Sequence, residues 1–175
     1  MSIIEEDLKQ FRQDIAKEVG LPAYCVFDDK SLIDLCDKLP DKKEWFVFVK
    51  GFSTTGTSRV ETYADGIINI ISHFLKTEGR VSPLYKLIED YKLIISEFIK
   101  SYNNRFKDKE IAELLTGTAY IKLLVSRIDD FYDVAQSSYY GILKNVKDVA
   151  IHYLILEMIN EQILQKNSEG FVSIR

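Results

Sequence analysis

The chain has 175 residues, 46% of them apolar, which is enough for a real core in one ordinary domain or two small ones. Its formal net charge is −4, with 11 basic and 14 acidic side chains in residues 1–80 and 12 and 13 in residues 81–175. Neither half has the basic excess of a protein dominated by phosphate contacts, so any nucleic-acid binding must come from local patches.

In chain order, Ile4, Leu8, Phe11, Ile15 and Val19 recur at three- and four-residue steps and predict a first helix. Gly20 supplies its C-cap and Pro22 prevents its continuation. Asp28 or Asp29 can cap a second short helix bearing Leu32, Leu35 and Cys36. Pro40 breaks that helix, and Asp41 can begin a third around Trp45, Phe46 and Val49. The loop GFSTTGTS (Gly51–Ser58) then leads into a long helix striped by Val60, Tyr63, Ile67, Ile71 and Phe74. TEGRVSP (Thr77–Pro83) interrupts the periodicity and is the best linker, dividing the chain into residues 1–78 and 84–175.

The second part opens with a helix carrying Leu87, Tyr91, Ile94, Phe98 and Tyr102, followed by a short one at Asp108–Leu115. An apolar segment, Ile121–Ile128, leads into DDFYDVAQSSYYGIL, and Lys144–Gln162 reads as a further helix. Ile163–Arg175 looks like two short strands around a Lys-Asn-Ser-Glu-Gly turn. Helices ending in a hairpin are the grammar of a winged helix. The expected fold is therefore mainly α: a helical bundle, then a winged helix with a small C-terminal β-hairpin.

Several chemistries find little footing. Cys25, Cys36, His73 and His152 form no metal-ligand spacing, so no metal or other cofactor is expected. The acidic N-terminus is not that of a signal peptide, and the apolar run Val149–Ile159 is too short to span a bilayer. TTGTS lacks the lysine of a Walker motif. Asp28-Asp29, Asp129-Asp130 and Glu5-Glu6-Asp7 read as helix caps and dipole partners rather than nuclease ligands. With no supported nucleophile–base arrangement, enzyme activity is not expected.

Nucleic-acid contacts have better candidates. Backbone N–H groups at Thr57, Ser58 and Arg59 would open a helix and could face a phosphate, with Lys42, Lys43 and Lys50 as a basic rim. The alternative is that the glycines simply turn the chain and Thr57 or Ser58 caps the helix. In the second part, Lys144 and Lys147 fall in the first turn of the expected recognition helix, just after Ser138. Lys166 and Phe171 are the hairpin residues able to reach a strand or stack on a base. The recognition helix is apolar nearly all round, which also suits burial against a partner chain.

Two resemblances sharpen this. Leu8 and Arg12, then Gly20, Pro22, Phe27 and Asp29, then Pro40, then Gly56, Arg59, Val60 and Tyr63 together resemble the HRDC domain of RecQ helicases and ribonuclease D, over about residues 5–75. The glycine turn is about three residues longer than usual, and Ala64 replaces the last glycine. The resemblance implies a five-helix bundle. Leu115-Thr116-Gly117-Thr118, Ser138-Tyr139-Tyr140-Gly141-Ile142-Leu143 and the hairpin resemble the winged-helix RQC domain, whose wing can act as a strand-separating pin. Thr116 stands where that family has a phosphate-contacting arginine, and Thr118 follows it. The order is reversed relative to RecQ helicases.

The resemblances imply an accessory region of a DNA helicase or repair protein, cytoplasmic and nucleoid-associated or else nuclear, binding single-stranded or forked DNA weakly. The partner would be a helicase motor or another protein, and the alternative is a protein-interaction module that has lost most DNA affinity.

Overall fold

The computed structural model describes residues 2–52, 59–119 and 127–175. The chain forms two compact units, Met1–Leu87 and Ile88–Arg175.

The first unit is built of helical segments around one core. Helix α1 (Ile3–Val19) turns Ile4, Leu8 and Ala16 inward, and it stops at Gly20, where the Leu21 N–H donates to the Ala16 carbonyl at 2.9 Å. The one-turn α2 (Ala23–Val26) follows Pro22. Of the two possible caps for α3 (Asp29–Lys38), Asp28 is the one used, accepting from the Ser31 N–H and hydroxyl, each at 2.7 Å.

The helix expected near Asp41 is a tighter 3₁₀ segment, Lys43–Phe48. Trp45 through Val49 are all buried, so no polar face imposes a 3.6-residue period. The run ends as the Lys50 N–H turns to the buried Asp34 carboxylate at 2.7 Å. Helix α4 (Arg59–Thr77) buries Val60, Ala64, Ile67, Ile71 and Leu75 on one stripe. These meet Leu8, Phe27, Leu35 and Phe46 in the core, where Phe52 lies edge-on to Phe46 at 5.1 Å.

Helix α5 (Pro83–Ser101) contains the boundary between the units. The second unit continues with α6 (Asp108–Thr116), α7 (Ile128–Ala135), α8 (Asp148–Asn160) and an antiparallel hairpin, β1 (Leu164–Lys166) and β2 (Val172–Ile174). The hairpin turn is held by Asn167, whose side-chain oxygen accepts from the Glu169 and Phe171 N–H groups. α6 packs on α8, burying Ile111, Leu114 and Leu115 with Ala150, Ile151 and Leu154.

The helix expected from Lys144 begins four residues later, with Lys147 in the N-cap position. The preceding backbone is committed to α6: Gly141 N–H donates to the Leu114 carbonyl at 3.0 Å and Leu143 N–H to Leu115 at 2.8 Å. Those bonds hold residues 141–143 out of helical geometry. Most of the expected segment Ile121–Ile128 lies outside the described residues. No described helix is long and apolar enough to cross a membrane.

Candidate nucleic-acid interface

In the first unit the basic rim is only partly available. Lys43 pairs with Glu61 at 2.8 Å, and the Lys42 ammonium sits 4.8 Å from the Trp45 ring centre and 5.2 Å from that of Tyr85. Arg59 donates to the Gly51 carbonyl at 3.2 Å, closing the base of the loop. Lys50 is exposed. Thr57 and Ser58 lie outside the described residues. The Arg12, Phe27 and Asp29 signature has a structural purpose instead: Arg12 donates to the Phe27 carbonyl at 3.1 Å and to Asp29 at 2.8 Å, and its guanidinium lies over the Phe27 ring.

In the second unit the two sequence blocks singled out above meet. Gly117 (φ +71°) ends α6, and Gly141 (φ +66°) crosses it so closely that a Cβ on Gly117 would sit 3.2 Å from the Gly141 Cα. With the two backbone bonds from Gly141 and Leu143, this contact brings Thr118 and the segment Ser138–Lys144 to one end of α6. Thr118, Ser138, Lys144 and Lys147 are exposed there. Thr116 is not: it is 3% exposed, and its hydroxyl bonds to the Ala112 carbonyl at 2.8 Å and to Thr118 Oγ1 at 2.9 Å. A buried hydroxyl closing its own helix is not presented to a phosphate.

A family model of the RQC domain matches residues 87–175, half of the chain. The chain belongs to the RQC domain family. A second model, of the HRDC domain, matches residues 4–71, so the two domains follow each other in the order the motifs indicate. Together they mark an accessory nucleic-acid-binding region of the RecQ-helicase type. Comparison with curated proteins and with solved structures found no match.

The RQC hairpin is tied down. Lys166 donates to Asp108 at 2.6 Å, and the same carboxylate oxygen lies 3.0 Å from His152 Nε2. Burial pushes the Asp108 carboxyl up, but the bonds from Lys166 and His152 outweigh it and hold it below its ordinary value. The Phe171 ring lies near two cations, Lys107 at 5.6 Å and Arg127 at 5.2 Å from its centre.

Arg127 in turn bonds Asp130 and the Arg105 carbonyl, while Arg105 reaches Asp130 at 2.6 Å and Asp133 at 3.0 Å. Hydrogen bonds from Arg105, and after them those from Arg127, hold the Asp130 carboxyl below its ordinary value against partial burial. Sequence reasoning missed both arginines: the acids of Arg105 lie 25 and 28 residues away, and the Arg127–Asp130 pair, though only three residues apart, was not picked out. Among the described residues no group of three or more His, Cys, Asp or Glu side chains is placed to hold a metal.

Proposed function

We propose that this chain is a non-catalytic docking and DNA-binding region of a RecQ-type helicase or related repair protein. It engages single-stranded or forked DNA weakly and positions a motor carried elsewhere. The observation that supports this reading best is the Gly117–Gly141 crossing, which gathers Thr118, Ser138 and Lys144 at one exposed end of α6. Lys147, at the entrance to α8, extends that edge. Hydroxyls and lysines beside a helix start are the groups that position a protein on a phosphate backbone. In the HRDC domain, Lys50 and Arg59 remain as secondary contacts beside Gly51. Residues 1–78 and 84–175 act as the two functional pieces, and the nucleoid or nucleus is the corresponding compartment.

Weak affinity follows from charge. Lys43, Arg105, Arg127 and Lys166 are paired with acids of the same unit, and the chain carries a net charge of −4, so counterion release is limited. The same pairing favours a second reading, a protein-interaction module with little DNA affinity.

Fluorescence anisotropy of the full chain with labelled single-stranded, duplex and forked DNA, at low and near-physiological salt, separates the two. Salt-sensitive binding that prefers the single strand or the fork supports the first reading. Absence of binding at low salt supports the second.

A further inference from the structure

Between α1 and α4 lies an open groove of about 480 Å³ lined by Asp7, Gln10, Phe11, Asp14, Asn69, Ile70 and His73. We propose that this groove docks a basic amphipathic helix of a partner protein, independently of the DNA-binding edge.

Its floor is apolar and built for close approach. Phe11 and Ile70 are half-buried and packed against the core. Phe11 packs close against α4 because residue 66 is glycine: a Cβ there would come within 2.6 Å of the ring. The rim carries Asp7 and Asp14, both exposed, and no lysine or arginine lines the groove. Asp14 accepts from Gln10 at 2.8 Å and has Lys17 at 3.8 Å, beyond the groove. Asp7 and Asp14 are seven residues apart on α1, two helical turns, so they stand on one face about 10 Å from each other. Ile3, one turn before Asp7 on that face, is 65% exposed and lengthens the apolar strip.

Charge decides the occupant. Two carboxylates repel a phosphate backbone and an anionic bilayer alike, whereas lysines spaced two turns apart on a partner helix would meet both. The partner's Leu- or Phe-type side chains at i, i+3, i+4 and i+7 would cover Phe11, Ile70 and Ile3, the usual mode of a helix lying in a groove.

The test uses the full chain, ¹⁵N-labelled, titrated with a helical peptide of about 18 residues carrying Leu on one face and Lys on the other. The same peptide with Glu for Lys is the control. Expected are saturable shifts at Phe11, Asn69, Ile70 and His73 with the Lys peptide and none with the Glu peptide. Asp7→Lys/Asp14→Lys should weaken binding about tenfold or more. The charge-matched pair Glu18→Lys/Glu78→Lys, on exposed acids outside the groove, should leave it within about twofold. Equal weakening by both pairs, or shifts elsewhere on the domain, would overturn the proposal. Ile70→Ala keeps the charge and removes the floor, and unchanged affinity in that variant would also overturn it. Thermal unfolding of each variant confirms that the domain is intact.

Discussion

Arg12 and Asp29, 17 residues apart in sequence, are joined by a hydrogen-bonded ion pair of 2.8 Å that locks α1 to the start of α3. Asp29 is 81% exposed and contributes little by charge alone, but the Arg12 side chain is only 11% exposed. Its value lies in the Phe27 carbonyl it satisfies and the ring it covers. Arg12→Ala should therefore destabilise the HRDC domain by about 1–3 kcal/mol, and Asp29→Ala by less than about 1 kcal/mol. Trp45 is the only tryptophan and lies in this domain, so its fluorescence in urea reads the effect directly. Equal losses from both substitutions would refute the assignment.

The Gly117–Gly141 crossing makes a prediction for the other domain. Both glycines have positive φ, and a Cβ on Gly117 would press to within 3.2 Å of the Gly141 Cα. Gly117→Ala should cost about 1–2 kcal/mol from the left-handed backbone, with a further loss from the contact. Circular dichroism should show a lowered transition for the RQC domain while the Trp45 signal keeps its midpoint.

On the proposed DNA-binding edge, Lys144→Glu and Lys147→Glu should each weaken single-strand binding and lower the salt slope by about 1. Arg59→Glu should have a smaller effect on binding, because its guanidinium already engages the Gly51 carbonyl. Salt titrations by anisotropy check all three. An unaltered slope in both lysine variants would remove this edge from consideration.

Part of the acid sensitivity should trace to Asp130, with Asp108 contributing as well. A carboxyl held below its ordinary value of 3.8 stabilises the fold above that pH and loses the contribution as pH falls through its lower, folded value. The stability gap between the native chain and Asp130→Asn should accordingly be full at neutral pH and narrow below 3.8. Urea unfolding at neutral and strongly acid pH measures it. A gap that stays constant would mean the carboxylate is not ionically engaged.

Much of the fold could be read in advance because periodicity records burial: the stripe of α4 and the closing hairpin stand where the apolar pattern puts them, and so does that of α1 except at its end, where Val19 is exposed and Ala16 is buried instead. The 3₁₀ segment at Trp45 was not legible, since a run buried all round carries no phase. The late start of α8 was hidden too, because Gly141 and Leu143 donate their N–H groups to carbonyls more than 25 residues earlier. The interface suffered most from such distant partners. Lys43 looks like a free cation until Glu61, 18 residues away, is folded against it, and Lys166 until Asp108, 58 residues away, receives it. Thr116 stands where the family's phosphate-contacting arginine would be, yet its hydroxyl completes the last turn of its own helix.

The fastening of the hairpin has a mechanical corollary. Lys166 is tied to the first residue of α6, and Phe171 lies near Lys107 and Arg127, so the root of the wing is coupled to the helices beside it. Load applied at its tip passes directly into α6 and, through His152 and Asp108, into α8. Such a wing takes its orientation from the domain that carries it.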